Sequence, residues 1–152
     1  MRLSGLNTMT ELTLPHHPFG TDISDTDIVA QMQNASGWED RYRTVIQLGK
    51  KLPVMAEEDK DEQLKVSGCE SQVWLRHQQV GDHFYFQADS DARIVRGLIT
   101  LVLAAYHGKT RTEIGEFDID GYFDSLGLIA HLSPSRGNGL KAIVEQIKQL
   151  AS

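Results

Sequence analysis

QVWLRHQQVGDHFYFQADSDARIVRGLITLVLAAY, residues 72–106, is the stretch that decides the fold. Its first half has the apolar run Val73-Trp74-Leu75 before Gly81-Asp82, a dipeptide typical of a tight turn. After the turn, Phe84, Phe86 and Ala88 alternate on one face, and together these features predict an antiparallel hairpin. Its second half changes to helical spacing, with a long apolar face that begins after Asp89-Ser90-Asp91. A sheet element followed directly by a core helix is therefore the predicted centre of the molecule.

Helices are also predicted on both sides of this centre. Residues typical of helix N-caps mark further starts at Ser24, Ser36, Thr110 and Ser133. We interpret Leu64-Lys65-Val66 as a short third strand. The order of elements predicts an α+β fold, with a small antiparallel sheet of about three strands flanked by several helices.

The length fits one domain. Residues 1–20 have no sustained period and contain Pro15-His16-His17-Pro18, which resists helix formation. We interpret residues 1–20 as an N-terminal tail and residues 21–152 as a single domain.

Charge and composition exclude several classes of protein. The chain has 15 Lys and Arg against 21 Asp and Glu, and its net charge of −6 argues against a nucleic-acid or anionic-membrane binder. The longest apolar run, residues 97–106, is too short for a membrane span.

A single cysteine allows neither an internal disulfide nor a Cys-only metal site, so we expect a reduced, cytoplasmic protein without a metal.

Cys69 is the first candidate for chemistry, because it follows Gly68 in a predicted loop between the helical part and the hairpin. The alternative is a buried structural cysteine, which is common. A reactive thiol needs a nearby cation or amide dipoles, and Glu70 supplies neither. Arg136, in the small-residue loop that opens the last helix, is the candidate cation, and an ordinary surface arginine is the alternative.

Other chemistry finds little support in the sequence. No pair of the six histidines has the spacing of a metal site, and there is no phosphate-binding or serine-nucleophile motif. A cysteine hydrolase would need a base, for which His77 and His83 on the predicted hairpin are the candidates. A non-catalytic interaction module with a structural cysteine is the other alternative.

Four segments in order resemble the SufE family of sulfur acceptors, which includes CsdE-type members. They are a leading helix with its end (Trp38–Tyr42 and Leu48–Pro53), then Val66–Leu75, Asp89–Leu98 and Leu132–Leu140. The resemblance implies an α+β fold similar to that of the iron–sulfur scaffold, although one cysteine is too few to hold a cluster. His17-Pro18-Phe19-Gly20 is closer to the CsdE-type branch.

The resemblance also implies a function. Cys69 would take persulfide sulfur from a PLP-dependent cysteine desulfurase (SufS- or CsdA-like), stimulate that enzyme and pass the sulfur on. The receiver would be iron–sulfur cluster assembly or, alternatively, another sulfur or tRNA-modification branch. The chain would not be an enzyme by itself and would hold no cofactor, because the PLP belongs to the partner. We expect Cys69 to be partly buried and Arg136 to lie near its loop.

Overall fold

The structure is a computed structural model that describes residues 11–69 and 71–152. These residues form a three-stranded antiparallel sheet and six α-helices, which confirms the predicted α+β class. The elements are α1 (Asp25–Asn34), α2 (Trp38–Gly49), β1 (Val73–Val80), β2 (His83–Ser90), α3 (Arg93–Tyr106), β3 (Lys109–Thr110), α4 (Arg111–Glu116), α5 (Ile119–Leu126) and α6 (Pro134–Leu150).

The sheet has the order β1-β2-β3. The predicted hairpin is confirmed, since β1 pairs with β2 from Val73 opposite Ser90 to Val80 opposite His83. The prediction of Leu64–Val66 as the third strand is wrong, because Lys65 makes only an isolated bridge to Trp74. The third strand is β3, which pairs with the start of β2. Two residues are too short to show an alternating pattern in the sequence.

Helix α3 is the centre of the hydrophobic core. Every residue from Gly97 to Tyr106 is buried, because the helix has other elements on all sides. The helix ends at His107, and Gly108 follows with a φ of 78°, a left-handed conformation that favours glycine.

Two glycines let α2 and α3 approach closely. A Cβ on Gly97 would overlap the backbone carbonyl of Val45, and a Cβ on Gly49 would lie 2.8 Å from the Gly97 nitrogen. The two helix backbones are therefore in direct contact, and this contact fixes α2 against the core helix.

A buried ion pair ties β2, α3 and the segment after α2 together. The sequence suggests that Asp89-Ser90-Asp91 caps α3, but the N-cap is Ala92 and Asp89 is almost completely buried. Asp89 accepts hydrogen bonds from the Arg96 guanidinium and from the Met55 amide, the latter at 2.8 Å. Arg96 also donates to the carbonyl oxygens of Gly49 and Leu52. Both charges are thus compensated inside the protein.

The other predicted helix starts are mostly as expected. Ser24, Thr110 and Ser133 are N-caps whose side chains accept a hydrogen bond from the first turn. Ser36 is an exception, because its side chain bonds to Asp40 and α2 begins one residue after Gly37.

The last part of the predicted tail packs against the sheet. Phe19 is fully buried, and His17 donates from Nε2 to the Phe86 carbonyl at 3.0 Å. The His17 ring lies 4.0 Å from that of His107, measured between centroids. Part of the segment that we interpret as a tail therefore contributes to the packing of the domain, through single long-range contacts that leave no periodic signal in the sequence. Residues 1–10 lie outside the described residues, and the boundary at residue 20 stays a prediction.

Within the described ranges, no helix combines the length and the apolar character needed to cross a bilayer.

We predict that Gly97→Ala destabilises the protein, because the new Cβ must displace the α2 backbone at Val45. Overpacking of this kind costs about 1–3 kcal/mol in free energy of unfolding. Gly115→Ala is the matched control, since a Cβ there meets nothing within 4 Å. Urea unfolding of both variants checks the prediction, and equal stabilities would contradict the close contact of α2 and α3.

Candidate functional site

Cys69 lies on a short loop whose ends are tied together. The Val66 amide donates to the Val73 carbonyl at 2.9 Å, and Lys65 forms the bridge to Trp74 described above. Gly68 has a φ of 89°, a conformation that side chains other than glycine rarely adopt. The chain therefore turns sharply just before Cys69.

The far end of the loop is held at the start of α3. The Gln72 amide donates to the Asp91 carboxylate at 3.1 Å, and the Asp91 amide donates to the Gln72 carbonyl at 3.4 Å. The loop thus joins the hairpin to α3 at the place where the hairpin begins.

The loop rests on small residues of α6. The Cys69 thiol donates to the Gly139 carbonyl with 3.6 Å between Sγ and oxygen, and a Cβ on Gly139 would itself lie 3.6 Å from Sγ. Ala142 lies about one turn after Gly139 on α6, and a Cβ on Gly68 of the loop would lie 3.4 Å from the Ala142 Cβ. Glycine and alanine at these positions let the loop lie directly on the helix.

Cys69 and Arg136 line the same cavity, which has a volume of about 260 Å³. Cys69 and Arg136, the two candidate residues from the sequence, therefore face the same cavity. Its apolar part is formed by Val73, Val95, Leu98, Leu140 and Ile143. Its polar part is formed by Arg136, Ser71, Ser133 and Ser135.

The first turn of α6 positions Arg136. Pro134 begins the helix, and Ser133 caps it by accepting a hydrogen bond from the Arg136 amide at 3.3 Å. The residue is exposed, and among the described residues its guanidinium forms no ion pair. Among residues 11–69 and 71–152 the cation therefore has no carboxylate partner, and its position lets it interact with an anion in the cavity or with a group brought by a partner.

Cys69 is half-buried, as the sequence analysis expects. Burial raises the pKa of the Cys69 thiol above its ordinary value. The thiol form therefore dominates at neutral pH in the isolated protein, and the reactive thiolate is rare. The side chain of Glu70, the neighbour in sequence, lies outside the described residues.

The histidines do not join this site. His77 and His83 are exposed on the hairpin, and no histidine or acid is among the described residues that line the cavity. Nor do residues 11–69 and 71–152 contain a group of His, Cys, Asp or Glu side chains placed to hold a metal ion.

Sequence reasoning found the thiol and the cation but missed the wall from α3. Val95 and Leu98 line the cavity, yet in the sequence they belong to the apolar face of a core helix. Only their position in the fold distinguishes a cavity wall from the rest of the core.

Fold and site together define a small α+β domain that carries one half-buried cysteine on a loop above an apolar cavity. The model of the Fe-S metabolism associated domain, SufE, matches residues 26–151. The chain belongs to the SufE family.

Known relatives agree with this assignment. The chain is 40% identical over 140 residues to the sulfur acceptor protein CsdE of Escherichia coli, covering 91% of this chain and 95% of that protein. It is 49% identical over 118 residues to an uncharacterised SufE-like protein of Rhizobium etli, covering 75% and 80%. The fold resembles the solution structure of a hypothetical protein from Thermus thermophilus, with a TM-score of 0.67, 16% identity, and coverage of 84% and 92%.

We predict that alkylation of Cys69 shows the raised pKa. Because the pKa of the Cys69 thiol is raised, the rate of its reaction with iodoacetamide should reach half of its maximum at a higher pH in the folded protein than in the urea-unfolded chain. The urea-unfolded chain, in which the thiol is solvated, serves as the control and reacts faster at neutral pH. A plateau below the pKa of the unfolded chain would contradict the assigned direction.

Proposed function

We propose that the protein accepts sulfur on Cys69 from a PLP-dependent cysteine desulfurase, stimulates that enzyme and passes the sulfur on. The observation that carries the proposal is the position of the chain's single cysteine, half-buried on a tethered loop above a cavity. Membership of the SufE family supports it, as does the similarity to a protein named as a sulfur acceptor.

The transfer is a thiol–persulfide exchange. The Cys69 thiolate attacks the outer sulfur of the desulfurase persulfide and forms a new S–S bond. The original S–S bond breaks, and its electron pair leaves on the desulfurase cysteine, which takes up a proton. The proton lost from Cys69 is returned to solvent or to the leaving thiolate. No external oxidant or reductant is needed, since one persulfide replaces another.

A single cysteine suits a carrier. A second thiol nearby would attack the persulfide and release sulfide with formation of a disulfide. No other thiol exists in this chain. The cavity, of about 260 Å³, leaves room for one additional sulfur atom beside apolar side chains. The walls would keep small thiols and oxidants away from the carried sulfur.

Because the pKa of Cys69 is raised in the isolated protein, we propose that docking of the partner helps to form the Cys69 thiolate. In the isolated protein the Cys69 thiol is protonated and therefore a poor nucleophile. Docking has to bring Sγ out of its position on Gly139, because the attack needs direct approach of two sulfur atoms. Movement into a more polar environment would lower the pKa and generate the thiolate.

Arg136 is proposed to stabilise the anionic sulfur. Its guanidinium is exposed at the rim of the cavity, and the described residues provide it with no carboxylate partner. A cation there favours the thiolate before transfer and the persulfide anion after it.

We propose iron–sulfur cluster assembly as the receiver of the sulfur, with a CsdE-type sulfur or tRNA-modification branch as the alternative. The chain itself needs no cofactor in this scheme, and PLP stays with the desulfurase. Its proposed location is the cytoplasm, where thiols are kept reduced.

A cysteine hydrolase is not favoured, because the described walls of the cavity offer Cys69 no histidine or acid.

We predict that the protein gains the mass of sulfur when it is incubated with an active cysteine desulfurase and L-cysteine. Reductant should remove the gain, and Cys69→Ser should abolish it. Ser135→Ala is the matched control, because it changes the same cavity but keeps the thiol. Intact-mass analysis gives the readout, and failure of the wild-type protein with several active desulfurases would overturn the proposal.

We predict that Arg136→Ala slows sulfur transfer by about tenfold or more, since a hydrogen bond to a charged group is worth about 1.5–3 kcal/mol. Arg136→Lys should recover part of the rate. Lys141→Ala, which removes an exposed cation from another face of α6, is the control. Single-turnover transfer together with urea unfolding separates a loss of rate from a loss of stability, and an unchanged rate would reject the role of Arg136.

A further inference from the structure

The outer face of α2 carries apolar side chains that the core does not cover. Trp38, Tyr42 and Ile46 follow each other at intervals of four residues and therefore share one face. Val54, after the helix, is 74% exposed, and Tyr42 is 38% exposed. These two are the exposed large hydrophobic residues of the described chain. We call Trp38, Tyr42, Ile46 and Val54 the α2 stripe.

The α2 stripe is continuous. One groove is lined by Trp38, Tyr42 and Ile46, and a second is lined by Ile46 and Val54. Because Ile46 belongs to both grooves, they join into one surface. Trp38 and Ile46 also pack on the core, whereas Tyr42 and Val54 face outward. Contiguous exposed apolar surface of this kind typically marks an interaction site.

Both ends of the α2 stripe come close to residues of the Cys69 site. At one end, Trp38 stacks on His131, with ring centroids 4.7 Å apart, and Ser133 of the cavity follows two residues later. At the other end, Arg93 borders the groove with Val54, and it follows two residues after Asp91, whose carboxylate accepts the hydrogen bond from Gln72 that anchors the Cys69 loop. Two residues span at most about 7 Å. Both ends of the stripe therefore lie close to residues that hold or line the Cys69 site.

The charge beside the α2 stripe differs from that of the whole chain. The net charge is −6, yet Lys50 and Arg93 line the groove around Val54. In the described part of the chain neither forms an ion pair. An acidic region on a partner would fit this end of the stripe.

We propose that the α2 stripe is the docking surface for the cysteine desulfurase, an inference that rests on the proposed function. The desulfurase would place an apolar element on Tyr42 and Val54, and acidic side chains opposite Lys50 and Arg93. Sulfur transfer brings the partner to Cys69, so a surface whose two ends lie close to the Cys69 site is within reach of the same partner. A central tyrosine with a charged rim is also the composition typical of interaction hot spots.

The test compares the concentrations of protein that half-saturate sulfur transfer from the loaded desulfurase. Tyr42→Ala combined with Val54→Ser should raise this concentration at least tenfold and leave the rate at saturation unchanged. Lys50→Glu should raise it as well, with a smaller effect at high salt. Trp38 is left intact because it packs on the core.

Gln79→Glu is the control for the charge change. Gln79 is exposed near the hairpin turn, at the opposite end of β1 from the Cys69 loop and about 20 Å along the strand. It should leave half-saturation unchanged.

The outcomes separate this inference from the proposed function. If the wild-type protein gains no sulfur, the proposed function fails. If the wild type gains sulfur and the stripe variants half-saturate at the same concentration, the inference is overturned. If the variants accept sulfur normally but pass it on poorly to a downstream acceptor, the stripe belongs to that acceptor and the inference is also overturned.

Discussion

The position of the Cys69 loop on the glycine and alanine of α6 is the constraint on which the site depends. A side chain that extends beyond Cβ at Gly139 would meet the loop, because an added Cβ would already be in van der Waals contact with Cys69, 3.6 Å from Sγ. This contact gives the thiol its partial burial and closes one side of the cavity. The same helix supplies Arg136 from its first turn, so one element sets both the sulfur and the cation.

The rest of the fold serves to hold this arrangement. The hairpin fixes one end of the loop through the Val66–Val73 hydrogen bond, and α3 supplies the opposite apolar wall. The buried pair of Asp89 and Arg96 joins β2 to α3 near the place where the loop is anchored. The consequence is chemical: the resting thiol is half-buried and its pKa is raised, and in the function that we propose the partner increases its reactivity.

Much of this structure follows from local patterns in the sequence. The second strand of the hairpin and α3 have clear periods, and Ser24, Thr110 and Ser133 act as the expected caps. The third strand could not be predicted, because Lys109–Thr110 is too short to alternate. The burial of Phe19 depends on long-range contacts.

The residues of the site also fall into those that the sequence could predict and those that it could not. Cys69 and Arg136 were accessible to sequence reasoning because their residue types and loop positions are distinctive. The role of Val95 and Leu98 as cavity walls was not, since every buried helix face has the same pattern.

The central claim is that Cys69 carries sulfur inside a protecting cavity. The most direct measurement loads the protein from a desulfurase, separates the two proteins and follows removal of the outer sulfur by cyanide. Removal should be much slower from the folded protein than from the same protein in urea, and Cys69→Ser should carry no sulfur to remove. Equal rates in the folded and unfolded chains, or sulfur retained by Cys69→Ser, would contradict the protected position of the carried sulfur on Cys69.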